Sequence, residues 1–200
     1  MLNVYLLRHG QTAWNADNNR YCGRTDLELT PAGIQQAISV HRQLNDICFE
    51  AVYSSPLQRA QQTAKIAGGT EHIIVDDRLI EADFGNWEGK CKEEFIADDP
   101  AYWDRWINDP GITSAGNSGE TAIQVIERVA GFFTWLVDRH NSGNVLVVAH
   151  NAVNRFYLSH KLGMPLKNYR RLFLDNSSVT MFELDKHGEL TLKMLNRNCI

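Results

Sequence analysis

No long apolar run, no block of lysine and arginine and no close pair of cysteines occurs in these 200 residues. The first apolar stretch, "VYLL", has no positively charged segment before it and is far too short for a signal core or a bilayer span, so neither leader nor anchor is expected. Lys and Arg number 20 against 24 Asp and Glu, a net charge of -4. That balance gives no pull toward a nucleic-acid backbone or an acidic membrane, and neither is expected as a partner. Any anion site must therefore be made by local placement of charge. Cys22, Cys48, Cys91 and Cys199 lie far apart with no CxxC, which predicts reduced thiols in a cytoplasmic setting. His72, His140, His160 and the cysteines lack the spacing of metal ligands, and no metal is expected. The GxGxxG, GxxxxGKS/T and GxSxG patterns are missing, which weighs against dinucleotide, P-loop and serine-hydrolase sites; Ser118 in "GNSGE" reads better as a helix cap.

What is present is an ordinary globular balance, 44% hydrophobic and 22% charged, in a length that one domain over 1–200 can fill. Asn3 to Leu7 reads as a buried strand. Thr30 and Pro31 then open an amphipathic helix carrying Ile34, Ala37, Ile38 and Leu44. "FEAVYSS" predicts a second strand, and Ser55 with Pro56 a second helix that Gly68 and Gly69 stop. "HIIVD" predicts a third strand. A weakly periodic stretch from Leu79 to Ser118 follows, rich in aromatics, and is expected to be a functional insertion, lid-like over about 84–119. A helix capped from Ser118, the β-branched run "NVLVVAH", a helix over "AVNRFYLSHKLG" and two strands around Lys186 to Gly188 complete the chain. Alternating strands and helices predict an α/β three-layer sandwich, its central sheet mostly parallel with an antiparallel hairpin at one end.

Ligand sites of such sheets form beyond the carboxyl ends of the strands. His9 follows "VYLLR" and His150 follows "VLVVA", so two histidines far apart in sequence are expected at equivalent strand ends, with Arg8 beside one of them. Arg59 lies about one turn into the helix after the second strand and can face the same crevice. Two arginines with two histidines suit a phosphate dianion, because guanidinium groups bind phosphate oxygens bidentately. A carboxyl group beside a bound dianion suits proton donation to a leaving group. Glu81 is one candidate, but spacing alone does not separate it from Asp76, Asp77, Asp83 and Glu88.

Six ordered blocks, "LLRHGQTAWN", "GRTDLELTPAGIQQA", "VYSSPLQRAQQTA", "RLIEADFGNWEG", "GNSGET" and "VLVVAH", resemble the signatures of the histidine phosphatase superfamily in its branch-1, phosphoglycerate mutase-like and alpha-ribazole phosphatase-like form. The resemblance implies that His9 is a nucleophile that becomes phosphohistidine. It also implies that Arg8, Arg59 and His150 hold the transferring phosphoryl group, that Asn15 adds a phosphate or substrate contact, and that Glu81 is the proton donor, with no metal or other cofactor. Tyr21, Cys22 and Gly23 correspond to a loop that closes over substrate in the mutases, where threonine and glycine are usual; cysteine here replaces that hydroxyl. Asn151 stands where the family commonly has glycine and can reach the phosphate or crowd it.

The function implied is a metal-independent phosphomonoesterase acting on a small phosphorylated metabolite, with a homodimer as an admissible assembly. A cofactor-dependent phosphoglycerate mutase is the main rival. Mutases of this resemblance carry a longer central insertion with more basic residues, whereas Phe84 to Gly119 offers only Lys90, Lys92 and Arg105, which favours hydrolysis. A phosphoprotein phosphatase and a non-catalytic phosphate-binding module rank below; the latter predicts damage to the catalytic set, and Arg8, His9, Arg59, Glu81 and His150 all stand. The aromatic insertion suggests a ring-like leaving group, although Trp103 and Trp106, three apart on a predicted helix, read better as core.

Overall fold

Apolar side chains on both faces of a strand demand helices on both faces of the sheet, and the computed structural model, which describes residues 1–198, has that arrangement. In chain order the elements are β1 (Leu2–Arg8), the one-turn α1 (Ala13–Ala16), α2 (Pro31–Leu44), β2 (Ala51–Ser54), α3 (Gln58–Gly68), β3 (Ile74–Val75), α4 (Lys92–Asp98), α5 (Pro100–Asn108), α6 (Ala122–Arg139), β4 (Gly143–Ala149), α7 (Asn151–Lys161), β5 (Val179–Leu184) and β6 (Leu190–Arg197). One six-stranded sheet runs in the order β3-β2-β4-β1-β5-β6. The first four strands in that order are mutually parallel, and β5 and β6 are antiparallel additions on the far side of β1.

The period of two along β4 divides the core. Val145 and Val147 face Val129, Phe132 and Leu136 of α6 and Phe156 of α7, while Leu146 and Val148 face Val40 of α2 and Ala60, Ala64 and Ala67 of α3. The small alanines of α3 bring that helix close to the sheet, so its first turn lies near the strand ends. The aromatics of the 79–118 segment pack mainly on one another: Trp87 stacks on Phe95 with ring centroids 4.7 Å apart and meets Trp106 at 5.5 Å. Trp103 and Trp106 are buried, as expected for core residues.

Several boundaries differ from the sequence expectation. Thr30 does cap α2, accepting from the Gly33 amide, but Ile34 points outward and Val40 takes the buried position. Helix α3 starts three residues later than Ser55, whose hydroxyl accepts from the Leu57 amide at 3.3 Å and also meets a second partner across the strand ends. "HIIVD" shrinks to Ile74–Val75, both exposed at the sheet edge, because Asp76 instead accepts from the Arg78 amide and opens a 3-10 turn. Ser118 is not the cap of α6; Thr121 is, in a reciprocal capping box with Gln124. The described cysteines Cys22, Cys48 and Cys91 are free thiols, and Cys199 lies outside the described residues.

Candidate active site

Strands β2, β4 and β1 are adjacent and parallel, so their carboxyl ends deliver three consecutive polar side chains to one edge. Arg8 pairs in register with Ala149, and the His9 amide donates to the Ala149 carbonyl at 3.1 Å. His9 and His150 are therefore neighbours, with ring centroids 5.0 Å apart, and both are buried. Ser55, the residue after β2, lies 2.7 Å from Nε2 of His150 through its hydroxyl. Nδ1 of His9 lies 2.7 Å from the Gly10 carbonyl, an acceptor only, so that nitrogen carries the proton and Nε2 is left with its lone pair.

Burial first, and the nearby Arg59 and Arg8 guanidinium groups second, hold His9 well below the usual imidazole range. His150 is depressed likewise by burial, then by Arg59 and His9. Both rings are neutral near pH 7. Arg8 is itself lowered to about 10 by burial, with Glu81 opposing the shift; its Nη1 donates to the Leu174 carbonyl at 2.6 Å and its Nε has no protein partner among the described residues.

Geometry separates the carboxylates that spacing left open. Glu81 is buried and reaches the amino end of α7: Oε1 accepts from the Ala82 and Val153 amides, and Oε2 from the Ala152 amide. The unpaired amides of a helix start suit an acidic group. Asp76 is engaged by Arg78, Asp83 accepts from the Gly85 amide, and Glu88 accepts from the amides of Arg24 and Thr25. Among the described residues Glu81 is the one acidic side chain that lines the cavity at the strand ends.

Arg8, His9, Asn15 and Asn151 line that cavity with it, as do Tyr21, Cys22 and Gly23. Asn15 is held by its Oδ1, which accepts from the Thr12 amide and hydroxyl and from Asn176 Nδ2. Asn151 leaves its buried Oδ1 without a protein partner among the described residues. Cys22 is buried 3.6 Å from the Thr12 hydroxyl, and burial pushes its thiol up, so it is an uncharged wall group. Two expected residues stand behind the wall. His150 is fully buried against Ser55, and Arg59 is fully buried with Nη2 donating to the Gly23 carbonyl at 2.6 Å and Nη1 to that of Thr25 at 2.8 Å. Arg59 thus clamps the 21–25 loop across the strand ends.

Gly10 is fixed by a close approach of two backbone segments. A Cβ there would sit 2.6 Å from the Gly33 carbonyl oxygen, so the glycine lets β1 and the start of α2 touch backbone to backbone. Sequence reasoning missed Ser55, although it obeys the same strand-end rule as His9 and His150. It also missed Thr63, whose hydroxyl accepts from the Gly10 amide and donates to the Arg59 carbonyl. Asn176 donates to the His9 carbonyl from an irregular loop that offers no periodic signal. Arg155, Tyr169 and Arg170 complete the outer wall.

Comparison with known proteins identifies the family. The sequence pattern of the histidine phosphatase superfamily (branch 1) matches residues 4–198. Phosphoserine phosphatase 1 of Hydrogenobacter thermophilus is 32% identical, the alignment covering 100% of this chain and 94% of that protein. The adenosylcobalamin/alpha-ribazole phosphatase of Escherichia coli is 29% identical over 100% of this chain and 98% of its own. Among solved structures, a phosphoserine phosphatase mutant from Entamoeba histolytica in complex with phosphoserine superposes with a TM-score of 0.89 at 30% identity, covering 98% of this chain and 97% of that one. The chain belongs to the histidine phosphatase superfamily, branch 1.

Proposed function

We propose that this chain, a phosphatase of the histidine phosphatase superfamily, hydrolyses a small phosphorylated metabolite through phosphohistidine on His9. The observation that carries this reading is the His9 Nδ1 contact to the Gly10 carbonyl, which leaves a neutral Nε2 lone pair beside Arg8 and Glu81 in one cavity. Nε2 attacks phosphorus; the P–N bond forms as the ester P–O bond breaks, and Glu81 gives the departing oxygen its proton. Water then attacks the phosphorus, Glu81 takes the proton from that water, the P–N bond breaks, and inorganic phosphate leaves. Arg8, Arg59 and His150 stabilise charge spread over the equatorial oxygens. For Arg59 to reach a phosphoryl oxygen, its Nη2 has to exchange the Gly23 carbonyl for that oxygen. Asn15 and Asn151 contact the phosphoryl group or the substrate, with Tyr21, Cys22 and Gly23 as the covering loop and the 84–119 segment as the outer cover.

Hydrolysis is favoured over mutase chemistry by the engagement of the insertion's cations. Lys90 pairs with Asp98, Lys92 lies over Trp103, Arg105 lies over Tyr102, and none of the three lines the cavity. No described helix is long and apolar enough to cross a membrane. A reducing cytoplasm suits the free thiols. Phosphoserine and 3-phosphoglycerate, the ligands named for the Entamoeba relative, are the first substrates to test. The test is turnover of p-nitrophenyl phosphate in excess EDTA: it persists in the native chain and vanishes in His9→Ala. Activity that requires added metal contradicts the mechanism.

A further inference from the structure

The outer wall of the cavity holds two arginines that the phosphoryl chemistry does not use. Arg155 lies one turn into α7, and Arg170 belongs to the 3-10 segment Leu166–Arg171. Arg155 Nη2 donates to the Arg170 carbonyl at 2.7 Å, and Arg170 Nη2 donates to the Tyr21 hydroxyl at 3.1 Å. The Tyr169 ring lies against both guanidinium groups, 5.5 Å from Arg155 and 5.1 Å from Arg170, and Trp103 lies 4.6 Å from Arg170. The Nε of each is buried without a hydrogen-bond partner among the described residues.

No described ion pair gives either arginine an acidic partner, whereas Arg20, which lines the same cavity, is paired with both Asp17 and Glu94. The cavity's one acidic group, Glu81, already accepts three backbone amides. Two part-buried cations held by aromatic rings and a carbonyl carry charge that the protein leaves uncompensated, and such charge is costly unless an anion arrives. A phosphate at His9 answers Arg8 and Arg59; it leaves Arg155 and Arg170 unanswered.

Resting on the phosphatase reading above, we propose that Arg155 and Arg170 form a second anion subsite that takes the carboxylate of a phosphorylated hydroxy or amino acid. The planar fork of a guanidinium matches a carboxylate edge, and the aromatic walls keep water from competing. The insertion supplies an aromatic wall through Trp103 but none of the cations. The cations come from behind the second histidine instead.

Substrate pairs that differ at the carboxylate test the assignment: O-phosphoserine against phosphoethanolamine, and 3-phosphoglycerate against glycerol 3-phosphate. The native chain should prefer the carboxylate partner in kcat/KM by about tenfold or more. Arg155→Met and Arg170→Met should each erase most of that preference, mainly through KM, while p-nitrophenyl phosphate turnover moves much less. Arg170→Lys should restore part of the preference, and a thermal melt of each variant identifies any that fails to fold. Calorimetric binding of 3-phosphoglycerate and glycerol 3-phosphate to His9→Ala gives the same comparison without turnover. Equal affinity for the two members of a pair, or equal losses on both in the arginine variants, overturns the subsite. Tighter, arginine-dependent binding of glycerol bisphosphate than of 3-phosphoglycerate overturns the carboxylate assignment. Loss of p-nitrophenyl phosphate turnover by the native chain would sink the phosphatase reading instead, and the binding comparison still decides the subsite.

Discussion

At the inner end of the cavity the backbone places the chemistry, whereas at its rim side chains from unconnected segments do. His9, His150 and Ser55 stand at one edge because β1, β4 and β2 are neighbours in fixed register, and Glu81 is fixed by the amides of α7. The rim draws Tyr21 from a loop, Arg155 from a helix and Arg170 from a 3-10 segment, joined by side-chain hydrogen bonds of 2.7 and 3.1 Å. A site built from strand register holds its groups to within the tolerance that bond making requires. A rim built from long side chains can change its preference without disturbing the reacting centre.

The contrast can be broken by substitution, beginning at the inner end. His9→Ala should cost at least about a thousandfold in kcat if His9 supplies the attacking nitrogen, as proposed. Glu81→Gln should slow alkyl phosphates by about a hundredfold or more and activated aryl phosphates much less, because only poor leaving groups need the proton; equal losses on both would assign the acid elsewhere. Rim substitutions at Arg155 and Arg170 should cost about tenfold on carboxylate substrates only. Gly10→Ala should leave the set of reacting groups intact but destabilise the fold by about 1–3 kcal/mol, because its Cβ meets the Gly33 carbonyl backbone. A chemical denaturation curve reads that loss.

Proton linkage tests the inner end as a whole. The folded chain holds His9 and His150 neutral, while the unfolded chain takes up those protons near a pKa of about 6.5. The unfolded state therefore binds more protons as the solution is acidified, and this part of the stability is full above about pH 6.5 and lost below it. Denaturation midpoints across that range should fall toward acid, with a shallower slope in the His9→Asn/His150→Asn double variant.

The same division explains what was legible in the sequence. The strand-end rule predicts His9 and His150 at neighbouring strand ends, where the structure has them, since an apolar run marks β1 and a valine-rich one marks β4; the alternation of strands and helices gives the α/β layers. Choice of Glu81 over Asp76, Asp77, Asp83 and Glu88 was beyond spacing, because it depends on which carboxylate meets the amides of a helix that starts 70 residues later. Ser55 with Pro56 reads as a helix opening because Ser-Pro commonly begins one; here the helix starts at Gln58, and the hydroxyl accepts from the Leu57 amide and meets His150. Arg155 and Arg170 carried no signal, since an arginine one turn into a helix and another in "NYRRL" look like solvated surface until tertiary structure brings them to one aromatic ring.

The central claim is that His9 carries the phosphoryl group. Quenching the protein into alkali during steady turnover of a labelled phosphate ester, then digesting it and sequencing the labelled peptide, tests this most directly. The account predicts one phosphoryl group on the peptide containing His9, stable in alkali and lost in acid, and absent from His9→Ala. Acid-stable, alkali-labile label, or label on any other residue, contradicts it.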